Sequence, residues 1–410
     1  MKKTFLLFNF SLFLFYVLQV NNCKCQWVQK PDGMGTTQYG SSFAISGAYL
    51  FSGNWKGGGI FLTTNNGESW TSANNGITFP YISSIAVKET YVFAGTNGEG
   101  VFRSTNMGSS WTQFNTGLTN PAVWSLTLSG LNLFAGTHNG GVFLTTNNGQ
   151  YWTAVNNGLT NFNVLSMASV GTNIFAGTEN GLFRSTNNGV SWDSVHNGLS
   201  NKYIVCFTVS GTNIFAGTVN GVFLSTNYGA NWTAVNNGLT SMTVLSIASH
   251  GTNLFAGTLN GVFCSVNNGE TWTIKNEGFT IIPEVRCLIV ANNYVFSGTN
   301  YQSVWRRSYP EIIGIKKIST EIPSSFFLSQ NYPNPFNPKT IINFQLPMSN
   351  AVKLIIYDVM GREAATLVNE KLNPGTYEVE WNASNYPSGV YFYRLVSGNF
   401  ADTKKLILVK

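Results

Sequence analysis

A unit of about forty residues recurs seven times, and this periodicity limits what the chain can fold into more than any other feature. The string Phe-Ala/Ser-Gly begins at Phe51, Phe93, Phe134, Phe175, Phe215, Phe255 and Phe296, at intervals of 42, 41, 41, 40, 40 and 41 residues. A second string, Ser/Thr-x-Asn-x-Gly-x-x-Trp, runs in register with it and ends at Trp70, Trp111, Trp152, Trp192, Trp232 and Trp272. The second string has six copies, one fewer than the first.

Each period parses into four short strands. In the fourth repeat, Val164–Ser169 alternates and reads as strand A, Asn173–Thr178 as strand B, Gly181–Ser185 as strand C and Trp192–Asn197 as strand D. Asn187-Asn188-Gly189 is a tight turn between C and D, because Asn and Gly tolerate positive φ. Asn197-Gly198 then breaks the chain before the next strand A. Period-two alternation, with Gly in every unit, excludes helix-pair repeats of similar length. Four strands in such a unit predict one blade of a β-propeller, and seven units predict seven blades.

The seventh repeat stops after its third strand, Ser303–Arg307. The mature N-terminus supplies what is missing: Gln26-Trp27-Val28-Gln29 matches the Ser-Trp-Thr-x of the other repeats. The first and last segments are therefore expected to share one sheet and close the ring. Closure leaves no open edge between first and last blade.

The Trp string resembles the Asp-box of sialidase-type and sortilin-like propellers. Its acidic position is Asn in all six copies: Asn65, Asn106, Asn147, Asn187, Asn227 and Asn267. Asn can make the same side-chain-to-backbone turn bond, but it offers no carboxylate to a cation. In that family the box is a structural corner away from the active site.

The net charge of +6 is misleading, because residues 26–308 hold ten Lys/Arg against nine Asp/Glu. No basic face is available for a phosphate backbone, so nucleic acid is not an expected partner. The first 25 residues read as a signal peptide, with Lys2 and Lys3 before an apolar stretch from Phe5 to Val20. That stretch falls short of an uncleaved anchor, and Cys23 lacks the small-residue surroundings of a lipidation site. The mature form is expected to contain no transmembrane segment. Cleavage before Gln26 would leave Cys206, Cys264 and Cys287, which read as buried strand residues rather than a disulfide or zinc framework. No cofactor and no metal are expected.

Composition shifts after Ser308. Residues 309–325 read as a linker, and residues 326–410 as an antiparallel, immunoglobulin-like β-sandwich with strands at Val352–Asp358, Gly375–Trp381, Val390–Val396 and Lys404–Val409. Four stretches carry a further resemblance. They are Asn331 to Pro338, Ile356 to Glu363 with Gly361, Pro387-Ser388-Gly389-Val390-Tyr391, and the terminal Lys405 to Lys410. Together they are similar to the type A sorting domain of type IX secretion in Bacteroidetes. The resemblance implies a sorting signal built on Gly361, Pro387, Gly389, Tyr391, Lys405 and Lys410. It also implies export to the extracellular space or outer-membrane surface, with the outer-membrane translocon and a sorting peptidase as partners.

Ligands of a propeller are expected over the central channel, on the face built by the B–C and D–A loops. These loops differ between repeats while the strands hardly do. Trp55, Tyr81, Trp124, His138, Phe162, Tyr203 and Tyr301 are the candidate ligand-binding residues, since aromatic rings stack on sugars or grip peptides. A glycosidase needs two facing carboxylates. Glu99 and Glu179 are the only candidate pair on these loops. Arg103 and Arg184, at one repeated position of strand C, read as solvated charges. The expected function is a secreted or surface-displayed binding or scaffold propeller for a polysaccharide or a protein. A propeller-type glycoside hydrolase and a structural adhesion protein are the alternatives.

Overall fold

The computed structural model describes residues 26–319, 321–384 and 386–410. The signal-peptide expectation for residues 1–25 lies outside them. Seven four-stranded antiparallel sheets form a seven-bladed β-propeller, and two more four-stranded sheets form a C-terminal sandwich. In six blades the strands follow chain order from A to D. In blade 4 these are Val164–Val170, Asn173–Thr178, Gly181–Ser185 and Asp193–Ser194. Strand D is shorter than its sequence pattern predicts, because the Trp before it serves the neighbouring blade.

The Trp string acts as a tie. Within one box, Gly189 donates its amide to Ser185 Oγ at 2.8 Å, and Ser191 donates its amide to Asn187 Oδ1 at 3.0 Å. The turn so formed carries the Trp192 indole back onto the preceding blade, where Nε1 donates to the Val155 carbonyl at 2.7 Å. All six box tryptophans make this bond, and Trp27 makes the seventh, to the Lys275 carbonyl at 2.6 Å. Val28–Gln29 pairs with Trp305 and Arg306, so the N-terminal strand closes blade 7. Gly158 precedes strand A at φ +91°, and a Cβ there would lie 2.2 Å from the Trp192 carbonyl oxygen. Only glycine lets the backbone approach that closely.

Each inter-blade core joins strands of two blades. Phe175 of blade 4 packs with Ile204, Ile214, Phe223 and Trp232 of blade 5. Phe175 is fully buried, and burying such a ring contributes about 1.5–3 kcal/mol.

Two expectations need correction. Arg103 and Arg184 are more than solvated charges: each guanidinium donates to the box turn of the next blade, at Asn148 O (2.7 Å) and Tyr228 O (2.9 Å). Arg306 makes the same tie from blade 7 to Asn66 of blade 1. An arginine reaches the neighbouring backbone while its flat head covers apolar rings, as Arg103 does 3.7 Å above Phe114. Residues 309–325 are also more than a linker. Tyr309–Ile312 is a one-turn helix whose Tyr309 and Ile312 enter the core with Trp27, Phe255 and Trp305. Ile315–Ser319 then pairs with Gly375–Asn382 as an edge strand of the sandwich.

The sandwich stacks this sheet, completed by Lys339–Leu346 and Phe327–Leu328, on a second sheet. The second comprises Glu363–Leu372, Asn350–Tyr357, Gly389–Ser397 and Phe400–Leu408. Alternation buries one face of each sheet around Ile342, Phe344, Leu354, Trp381 and Tyr393. Gly361 sits at φ +74° in a turn held by Asp358, whose Oδ1 accepts the Met360 and Arg362 amides. Tyr391 is buried and donates to the Pro387 carbonyl at 2.8 Å. The Lys405 carbonyl accepts the Gln330 and Asn334 side-chain amides, and Lys410 Nζ donates to the Ser384 carbonyl at 2.5 Å.

Candidate functional site

The innermost strand of every blade carries the same irregularity. In blade 4, Val164 pairs with Thr178 and Ser166 with Gly177, so Leu165 is left over as a β-bulge. The other six blades skip Ser41, Ser83, Trp124, Val205, Leu245 and Arg286 in the same way. A bulge re-aims its extra residue. Here all seven bulged residues line one cavity of about 560 Å3 at the mouth of the channel. The residue before each bulge is buried packing, as with Val164 and Ile204.

Loop length makes the mouth lopsided. The B–C connection spans residues 55–58 in blade 1 and 300–303 in blade 7, but only 179–180, 219–220 and 259–260 in blades 4 to 6. The long loops bring Trp55, Lys56, Asn300 and Tyr301 to the rim, beside Tyr39 at the head of blade 1. Opposite them the short loops leave Leu165, Val205 and Leu245 as an aliphatic arc.

Of the sequence candidates, Trp55, Trp124, Tyr203 and Tyr301 converge on this cavity. His138 stands behind the lining, stacked on Trp124 with centroids 4.4 Å apart. Tyr81 stacks on Phe79 at 4.6 Å and does not line the cavity, and Phe162 stands apart from it as well. Burial and the charge of Glu179 push the Tyr203 hydroxyl above its ordinary pKa. Neither Glu99 nor Glu179 lines the cavity. Glu99 Oε2 instead accepts the Thr78 hydroxyl at 2.5 Å. Loop variability pointed to six of the lining residues, Trp55, Lys56, Trp124, Tyr203, Arg286 and Tyr301, but missed Tyr39 and the other five of the bulge ring. The signal was present one position after the residue that opens strand A, aliphatic in every blade but the first, where the repeats read Ser, Ser, Trp, Leu, Val, Leu, Arg.

Among the described residues the three free cysteines, Cys206, Cys264 and Cys287, offer no reactive thiol. Burial pushes Cys206 and Cys264 up to about 12, and Cys287 higher still. Among the described residues no group of three His, Cys, Asp or Glu side chains is placed to hold a metal ion.

Fold and tail together define a class: an exported seven-bladed β-propeller with a C-terminal sorting domain. Residues 330–410 match the family model described as "Secretion system C-terminal sorting domain". That tail implies type IX export to the cell surface or outside. Among the described residues no helix is long and apolar enough to cross a membrane.

No curated protein sequence matches the chain. Among solved structures, it is similar to PorZ of Porphyromonas gingivalis, described as an essential surface component of that bacterium's type IX secretion system. The likeness has 14% identity and a TM-score of 0.56, covering 92% of this chain and 60% of PorZ. YCF48 from Cyanidioschyzon merolae aligns at 15% identity and a TM-score of 0.55, over 70% of this chain and 99% of that one. The Niastella koreensis GH74 enzyme aligns at 16% identity and a TM-score of 0.53, over 66% and 43% respectively. At these identities the likeness is one of fold.

Proposed function

We propose that the protein is a binding propeller, carried out of the cell by its sorting tail, whose channel mouth takes a polysaccharide. One observation carries this reading: Trp55, Trp124, Tyr203 and Tyr301, from four different blades, meet on a single cavity of about 560 Å3. That volume lies within the range of small-molecule sites. Tyr203 and Tyr301 are exposed at the rim, while Trp55 and Trp124 are half-buried and held by their surroundings. Rings held in this way offer wide faces to the C–H surface of a pyranose and lose little entropy on binding.

The mature chain should retain at least one glycan on an array or from a surface extract. Each stacked ring contributes about 0.5–1.5 kcal/mol, so a Trp55→Ala, Trp124→Ala, Tyr203→Ala variant should bind that glycan about tenfold to a thousandfold more weakly. Unchanged binding by the folded triple variant would move the site elsewhere. Failure of the wild type to retain any glycan would remove the polysaccharide reading.

A further inference from the structure

The mouth carries cations and no carboxylate. Lys56 and Arg286 line it, and among the described residues no Asp or Glu does. Arg286 is partly neutralised, with Nη2 donating at 2.8 Å to Glu284 Oε2, which also accepts the Asn300 amide at 2.9 Å beside the rim. Lys56 is held differently. Its ammonium lies 4.4 Å from the Tyr39 ring centroid and 5.2 Å from that of Tyr301, and Nζ is 3.4 Å from the Tyr301 hydroxyl. Among the described residues it has no carboxylate partner. Tyr39 and Tyr301 are themselves fixed edge to face, with centroids 4.1 Å apart.

This arrangement has a chemical consequence. Aromatic faces attract an ammonium without neutralising it, so they restrain a flexible lysine while leaving its charge available. A cation restrained in advance and left uncompensated favours an anion, because little ordering remains to be done on binding. The same rim supplies ring faces for a sugar and acceptors for its hydroxyls: Ser41 and Ser83 give their own protons to the Ile82 and Val123 carbonyls and Asn300 gives its amide to Glu284, which leaves the two serine oxygens and Asn300 Oδ1 to accept.

We propose that the mouth binds an acidic polysaccharide, with a uronate carboxylate on Lys56 Nζ and the pyranose ring against the neighbouring aromatic faces. The inference rests on the polysaccharide reading above and narrows it to one class. The long loops of blades 1 and 7 exist at this corner and nowhere opposite, which places the anion-binding side at the closure of the ring.

Titration calorimetry of the full mature chain tests it, with polygalacturonate, neutral xyloglucan of similar length and poly-glutamate as probes. Polygalacturonate should bind at least about tenfold tighter than xyloglucan, as a charge-assisted contact requires. Its affinity should fall as salt rises from about 50 to about 500 mM, since the site is exposed and screened. Lys56→Gln should abolish that preference, and Lys56→Arg should keep most of it; Lys56 is exposed, so an unchanged melting curve for both variants checks the fold. Equal binding of the two glycans, or no effect of Lys56→Gln, would overturn the acidic class while leaving the polysaccharide reading intact. If neither glycan binds, the acidic class falls, whereas the polysaccharide reading falls only if no glycan on the array or in the surface extract is retained. Poly-glutamate binding as tight as polygalacturonate would show that the mouth reads charge alone, and would overturn the saccharide assignment.

Discussion

Two neighbouring residues on the inner strand of each blade obey different rules. Val164, like Ile82, Val123 and Ile204, is fully buried between blades, and only blade 1 departs from a β-branched aliphatic there, with Gly40 packed against the backbone of Gly298. Leu165 and its six counterparts stand on bulges facing the channel and share no chemistry at all, running from Ser83 to Trp124 to Arg286. The blade is a frame whose residues answer to packing. The bulge ring answers to whatever enters the mouth. One position along the chain is enough to separate the two, because a bulge turns its residue out of the ladder.

The largest effect should come from the frame. Trp192 is buried and ties blade 4 to blade 3 through its indole. Trp192→Ala should destabilise the propeller by about 3–5 kcal/mol in denaturant unfolding while leaving glycan affinity of the folded fraction unchanged. The triple variant of Trp55, Trp124 and Tyr203 should show the opposite pattern. If both variants lost stability and binding in equal proportion, frame and mouth would not be separable.

A smaller effect lies where a frame position has acquired a second task. His250 ends the inner strand of blade 6, at a position held by Ser210 in blade 5, and its Nε2 lies 3.4 Å from Glu370 of the sandwich. Tyr309 and Asn253 donate to the same carboxylate, at 2.5 and 3.2 Å. The hydrogen bond that His250 donates to Glu370 raises the His250 pKa above 6.5, against the opposing effect of burial. A raised folded-state value means the contact stabilises fully below pH 6.5 and is lost as pH rises through the folded value. The melting difference between wild type and His250→Ala should therefore be greatest in mild acid and fall at alkaline pH to what the packing of the ring on Tyr309 contributes. A difference independent of pH would show that the imidazole acts only by packing.

The smallest effect tests the turns. The residue after the box Asn is left-handed in every copy, and most copies place Asn there, as at Asn188 (φ 56°). Blade 5 has Tyr228 at φ 54°. Left-handed backbone costs most residues about 1–2 kcal/mol, and Asn less. Tyr228→Asn should raise stability by about 0.5–1 kcal/mol in the same unfolding assay, because the Tyr228 carbonyl still accepts from Arg184. No gain would mean that the ring of Tyr228 contributes as much as its backbone costs.

Periodicity and turn chemistry in the sequence were enough to determine seven blades, their strand order and the closure by Trp27. These are properties of local spacing repeated seven times, and every copy reinforces the others. The sorting tail was legible for the same reason: its motifs stand in order along the chain. Three sandwich strands, Phe327–Leu328, Lys339–Leu346 and Glu363–Leu372, were not anticipated: each is a single instance that no repeat reinforces, and Lys339–Leu346 pairs with Gly375–Asn382 across two intervening strands. The same holds for Ile315–Ser319, which two lysines made look like linker. Only the tertiary structure decided that Tyr39, Lys56 and Tyr301 form one corner, or that the seven bulge residues form one ring. Closing the ring brings blade 1 beside blade 7, and contacts across that seam leave no periodic trace in the chain.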